Sequence, residues 1–384
     1  MPRPERDDFL SDLGFVEEEV RSGVDPSYAN KKDTHWDVWV EYCRKCCIDP
    51  FLHGTEDPIP YLQVFARRYH DGRVAPRGKP VKSKTVSDAL CSVGQRFANL
   101  GADDPRLNRF GKLEFRLARQ KRCYLKNDTP VVRVKPLPIC VILAVVAVGL
   151  RSTTAMAKSI ANMICIAFFF CLRPGEYTGT TTDDQAFCLN DVVLYSHERR
   201  LSNEFSPDHD LLAATHVTYC FTTQKNMNNG QIIAHARSGH QHCCPVIATV
   251  RQLLMHRAAF LQFDKPYKGS TKIASYYLPN GKNIALRGDS FTKCIRNEAA
   301  GLRSRTGVDP SEYSARSLRA GGAMALLSAN CDSNVIKLLG RWKSDAMMDY
   351  LHEQSLPIFK RLATAMFNNG QHFFLPSEVV PAAA

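Results

Sequence analysis

Thirteen residues, Ile160–Leu172 (I-A-N-M-I-C-I-A-F-F-F-C-L), form the longest apolar run of the chain and stop at Arg173-Pro174-Gly175. A run this apolar has to be covered, yet it holds Asn162 and is shorter than the about 20 residues that cross a bilayer. With Ser159 at its head it reads as a buried helix. Ile139–Leu150, just upstream, has the same character, and the pair predicts the centre of one domain's core. Before them, Lys126–Pro138 holds three prolines and ends P-L-P, the composition of an interdomain linker. A second domain is therefore expected over 139–384, after a linker at 126–138.

Upstream of the linker the periodicity is helical. Ser27 can cap a helix through Cys47, with Trp36, Trp39, Val40 and Cys43 spaced by three and four. Pro58–His70 reads as a second helix, stopped by Asp71-Gly72. From Ser83 the apolar positions Val86, Leu90, Val93, Phe97 and Leu100 step by four, three, four and three, and Gly101 supplies the stop. A fourth helix, Asn108–Tyr124, is expected to bury Phe110, Leu113 and Leu117 and to expose Lys112, Arg116, Arg119, Lys121 and Arg122. Residues 27–125 thus predict a compact four-helix unit. Residues 1–26, with 3 basic and 8 acidic side chains, predict a flexible, solvated tail.

Beyond Leu172 the pattern changes period. Ala186–Tyr195, His216–Thr223 and Gln231–Ala236 are β-branched or aromatic, and Asn228-Asn229-Gly230 between the last two is a hairpin signal. A small three-stranded antiparallel sheet follows. Helices are expected again at Cys244–Phe263, Ser290–Arg303, Tyr313–Asn330, Asn334–Leu339, Asp345–Gln354 and Pro357–Phe367, with Gly321-Gly322 marking close approach of a neighbour. The fold class is mainly α with a small antiparallel β-sheet, in two lobes.

Fifty basic against 38 acidic residues in 384 give +12. The excess lies in residues 27–135 (22 basic, 12 acidic) and 136–384 (25 and 18), so two consecutive basic domains suggest a polyanionic partner. The loop Arg73–Lys84 carries five basic residues and no acidic one. Its Arg77, Lys79, Lys82 and Lys84, with Arg116, Arg119, Lys121 and Arg122, are the candidate contacts to that polyanion. A merely solvated face is the bland alternative. Fourteen scattered cysteines, among them Cys165 and Cys171 inside the apolar run, suit free thiols in a reducing compartment. Cys43-Cys46-Cys47 and His240-His242-Cys243-Cys244 lack the paired spacing of a zinc site. No secretory signal is read in the acidic N-terminus, and a soluble intracellular protein is expected.

Four places hold charged or polar groups that a fold alone does not demand. Arg173 follows the apolar helix, where a cation also suits the helix dipole. Lys225 stands at the tip of the expected hairpin. Arg316 and Arg319, in S-A-R-S-L-R-A-G-G-A, are three apart on one helical face, with an internal salt bridge to Glu176 as the alternative use. Tyr350 follows L-L-G-R-W-K-S-D-A-M-M-D on a short helix, where an aromatic at a core boundary is the ordinary reading.

The ordered set Arg, Lys, R-x-x-R, G-R-W, Tyr resembles the tyrosine recombinase (phage-integrase-like) family, whose motif order is Arg, hairpin Lys, His-x-x-Arg, His or Trp, Tyr. The wording of L-R-P-G-E-Y, S-L-R-A-G-G-A and L-L-G-R-W-K-S-D-A is similar to recombinases of eukaryotic DIRS-like and Crypton mobile elements. The resemblance implies a helical core DNA-binding (SAM-like) domain at about 27–125 and a catalytic domain beyond the linker. It implies a site-specific recombinase that cleaves and rejoins double-stranded DNA through a 3′-phosphotyrosyl intermediate, without metal, cofactor or ATP. Arg173 and Arg319 are the expected phosphate clamp, Tyr350 the nucleophile and Lys225 the general acid. It further implies a homodimer or homotetramer on DNA, with Pro357–Phe367 as a candidate contact, and a nuclear protein.

Two positions depart from the family pattern. Arg316 replaces the histidine of His-x-x-Arg, and a guanidinium stays charged where an imidazole exchanges protons. The alternative is therefore a catalytically impaired, recombinase-derived DNA-binding protein. At the His/Trp position, spacing to Tyr350 favours Arg341 and residue type favours Trp342.

Overall fold

The structure, a computed structural model, describes residues 3–24, 26–129, 134–179, 186–222 and 229–342. Contacts gather the chain into two units, Met1–Val131 and Val132–Ala384.

The first unit holds helices α1 (Arg3–Ser22), α2 (Pro26–Lys45), α3 (Ile59–His70), α4 (Ser83–Asn99) and α5 (Phe115–Asn127). Its core is aromatic: Trp39, Phe65 and Tyr69 are fully buried among Leu62, Val93 and Leu117. Trp39 meets Phe65 edge to face at 5.1 Å between centroids and donates its indole N–H to Pro50 O at 2.9 Å, so the one polar atom of that ring is satisfied. The expected helix from Asn108 begins seven residues later. The Asn108 carboxamide accepts from the amides of Phe110 and Lys112 and holds a turn, Gly111 takes φ +70°, and Glu114 then caps α5 by accepting from Arg116 N. Phe110, expected to be buried, is 70% exposed as a result. The acidic head, expected as a tail, is a helix: solvated as expected, since every described side chain of α1 is exposed, but helical because Phe9, Leu13, Val16 and Val20 recur at helical spacing.

The second unit is built on α6 (Ile139–Arg151) and α7 (Ala155–Phe169). Ten consecutive residues of α7, Ser159–Phe168, are buried, which is what the apolar run required. Around α7 pack α6, α10 (Pro245–Gln262), α13 (Ser317–Ser328) and α11 (Gly288–Ala300), with short helices α8 (Pro174–Tyr177), α9 (Asp208–Leu212) and α12 (Arg303–Thr306), and α14 (Ser333–Gly340) against α13. The sheet has four strands, not three: β1 (Val192–Ser196), β2 (Arg199–Leu201), β3 (His216–Phe221) and β4 (Gln231–Ala236), in antiparallel order β2-β1-β3-β4. In β3 the buried residues alternate, Val217, Tyr219 and Phe221 facing the core. A separate hairpin pairs β5 (Ser275–Tyr277) with β6 (Asn283–Ala285). The described residues are thus mainly helical with a small antiparallel sheet, and none of their helices is long and apolar enough to cross a membrane.

Candidate functional site

The site begins where α7 ends. Its last carbonyls have no partner within the helix, and the chain turns sharply at Cys171, whose φ is +47°. Phe170 O and Cys171 O therefore point away from the helix, into the space that α13 and α14 fill. Two arginines occupy it. Arg319 donates to Cys171 O at 2.7 Å and to Gly340 O at 2.5 Å. Arg341 donates to Phe170 O at 3.1 Å, Cys171 O at 3.3 Å and Leu339 O at 3.0 Å. The negative end of a buried helix is a favourable place for cations, which explains how two guanidiniums survive at 3% exposure each.

Glu176 supplies the only full negative charge among the described residues of this cluster, and it is 3% exposed. Its Oε1 accepts from Arg173 at 2.9 Å, and its Oε2 accepts from Arg341 at 2.8 Å and from the Arg173 amide at 2.7 Å. Arg173 also reaches Arg341 O at 3.4 Å, and its side chain stays 26% exposed. Three guanidiniums thus surround one carboxylate. Burial, and then the charges of Arg173 and Arg341, push the Arg319 pKa down to about 10, with Glu176 opposing. Burial likewise lowers that of Arg341 against the pull of Glu176. Arg319 therefore stays charged at neutral pH.

Local sequence sets the geometry. A Cβ on Gly322 would meet Phe168 O and Cys171 Sγ, and one on Gly321 would meet Leu137 O, so the glycine pair lets α13 press onto α7 and carry Arg319 to its carbonyls. Arg341 caps α14 in the left-handed region at φ +57°, a conformation usually given to glycine. It is held there by its buried bonds and by the Phe221 ring, 3.9 Å from the guanidinium. Its Nε is buried without a partner among the described residues. Trp342 turns the other way and lies over Arg319 at 4.1 Å. A Cβ on Gly340 would collide with the Trp342 ring, so Gly340 is what lets the indole lie there.

Of the sequence-derived site residues, Arg173, Arg319, Arg341 and Trp342 are brought together here. Arg316 is not on a shared face with Arg319: it stands at the N-cap of α13, exposed, and its guanidinium has no hydrogen bond or ion pair among the described residues. The internal bridge to Glu176 is made by Arg173 and Arg341, not by Arg316 or Arg319. Lys225 and Tyr350 lie outside the described residues, as do the helices expected at Asp345–Gln354 and Pro357–Phe367. Glu176, expected only as an alternative partner of Arg316 and Arg319, is instead the carboxylate that Arg173 and Arg341 share. Its position three residues after Arg173, closing R-P-G-E at the first turn of a helix, was the available signal.

In the first unit Arg77, Lys79, Lys82, Lys84, Arg116, Arg119, Lys121 and Arg122 are all exposed. Arg116 forks onto Asp57 at 2.6 and 3.0 Å and contacts Glu114 at 3.1 Å, Lys82 donates to Thr129 O at 3.2 Å, and Arg119 lies over Phe115 at 5.3 Å. Arg77, Lys79, Lys84, Lys121 and Arg122 have no acidic partner among the described residues. No group of three or more His, Cys, Asp or Glu side chains there converges as a metal site would require.

No protein-family model matches the chain, and neither does any curated protein. Among solved structures, the Tn1549 transposon integrase in complex with transposon right end DNA is similar at 12% identity and a TM-score of 0.45, over 88% of this chain and 99% of that one. The XerH site-specific recombinase bound to its difH substrate is similar at 14% identity and 0.45, over 88% and 79%. The XerA recombinase aligns at 11% identity and 0.35, over 87% and 98%.

Proposed function

We propose that this chain is a tyrosine recombinase, a DNA strand transferase whose arginine cluster binds the phosphate to be broken. The observation that carries the reading is the charge imbalance at the end of α7: three guanidiniums, one carboxylate, and a depressed Arg319 pKa that an incoming anion would relieve. Arg173, the partly exposed member, supplies donors to the non-bridging oxygens, and Arg319 supplies charge behind it. Tyr350 attacks phosphorus in line. The new bond joins its phenolic oxygen to phosphorus as the phenolic proton passes to solvent, the bond to the 5′-oxygen breaks, and Lys225 protonates that departing oxygen to leave a free 5′-hydroxyl. Because the phosphotyrosyl ester keeps the energy of the broken bond, rejoining needs no ATP. The basic residues of the first unit hold the duplex.

The reading extends to a mobile-element recombinase of the DIRS-like or Crypton kind, acting in a nucleus as a dimer or tetramer on DNA. It rests there on the wording of the motifs alone.

Arg316 favours a second reading, in which the chain binds DNA without cutting it. An exposed guanidinium where the family carries histidine adds a phosphate contact but cannot deprotonate Tyr350. A duplex nicked just downstream of the scissile phosphate separates the two. The enzyme reading expects a covalent adduct that Tyr350→Phe abolishes; salt-sensitive binding with no adduct on any tested site would leave only the second reading.

A further inference from the structure

Two surfaces of this chain are chemically complementary, and neither is packed into a core of the described residues. One is α1. Phe9, Leu13, Val16 and Val20 step by four, three and four along one face, and they are 55%, 45%, 49% and 60% exposed. A stripe of that length is normally buried, yet α1 belongs to neither core. Seven carboxylates against three arginines make the same helix acidic. At 100° per residue Asp12 and Glu19 fall along one edge of the stripe.

The other surface is an open cavity of about 360 Å³ in the second unit, between α6, α7 and α10. Val146, Gly149, Ala161 and Leu254 give it apolar walls, and Lys158 and Arg251 stand at its rim. Leu150, 41% exposed, continues the apolar surface at its mouth. Neither rim cation has a carboxylate partner among the described residues: Arg251 bonds only the His242 carbonyl and ring at 3.3 Å, and no ion pair reaches Lys158. The opening lies on helices that contribute nothing to the arginine cluster beyond the far end of α7.

We propose that this cavity is a docking site for α1 of a second copy of the chain. The apolar stripe seats its side chains in the cavity, and Asp12 and Glu19 meet Lys158 and Arg251 at the rim. Apolar anchors in a water-excluding pocket supply the affinity and the opposed charges fix the orientation. The proposal uses no DNA and stands apart from the recombinase reading, so either can fail alone.

The test is sedimentation velocity on the full chain across a micromolar concentration series. Wild type is expected to self-associate. Phe9→Ser with Leu13→Ser, Asp12→Lys with Glu19→Lys, and Lys158→Glu with Arg251→Glu are each expected to weaken association at least tenfold. Mixing the last two variants is expected to restore it, since the reversed charges then face each other again. α1 lies outside both cores, so the two α1 variants remain decisive even if the cavity variant fails to fold. A wild type that stays monomeric overturns the proposal, whether α1 is free or docked within its own chain. So does association that survives the α1 variants, which would place the contact elsewhere, or a mixture of folded variants that does not associate.

Discussion

Arg116 in the first unit and Arg341 in the second make the same interaction, a guanidinium on a carboxylate at 2.6 and 2.8 Å, with opposite consequences. Arg116 and Asp57 are both open to water, at 44% and 47% side-chain exposure, where the pair is screened and either partner is readily solvated alone. Arg341 and Glu176 have 0% and 4%, so neither charge is tolerable without the other. The first unit displays its cations; the second stores them behind one carboxylate. The proposed function draws on that difference, with exposed cations of the first unit to hold a duplex and the buried cluster of the second to take one phosphate.

Substitutions in the two units should therefore differ sharply in effect. Glu176→Gln should have the largest effect, lowering the stability of the second unit by about 3–5 kcal/mol because two guanidiniums lose their counter-charge. Urea unfolding followed separately for the two units measures it, with the first unit unchanged. Gly322→Ala should cost about 1–3 kcal/mol by overpacking, since its Cβ meets the Phe168 carbonyl and Cys171. A loss there with no change in the α7–α13 spacing would show that the glycine serves something else.

Acid should destabilise the second unit next. His256 is buried, with Nε2 on the Ile273 carbonyl at 3.1 Å, and burial lowers its pKa below the ordinary 6.5. The unfolded chain takes up a proton that the folded one refuses. Stability is therefore full above about 6.5 and falls as pH drops through the folded-state value. His235, lowered by burial in the same way, adds to the slope. Melting curves from pH 7.5 to 5.5 should show the drop, and His256→Gln should flatten part of it. Smallest of all, Arg116→Ala should leave the melting of the first unit unaltered within error and appear only as a shallower salt dependence of duplex binding.

Much of this is legible in the sequence. The apolar run, the helical steps of α4 and the glycine pair of α13 each had one physical reading, and the chain follows it. Phe110 was misread because helical periodicity ignores an Asn side chain that competes for backbone amides. β2 and the β5–β6 hairpin were missed because strands of three residues are too short to show a period; Asn280-Gly281 was the signal for the hairpin alone. In the site, the sequence supplied the arginines but not their exposure. Arg316 and Arg319 are alike in sequence, and only the fold places one in water and the other on the carbonyls of α7. The open choice at the His/Trp position divides in the same way: Trp342 covers Arg319, while Arg341 belongs to the scaffold around Glu176.

In the proposed function Arg173 is a phosphate ligand and not only a partner of Glu176. Arg173→Lys separates the two roles, because lysine keeps the charge and loses the planar fork. Adduct formation on a nicked duplex, normalised to the folded fraction from the melting curve, should fall by roughly 10²–10³ while the transition of the second unit stays near that of wild type. An adduct yield equal to wild type would contradict the claim and leave Arg173 as scaffold.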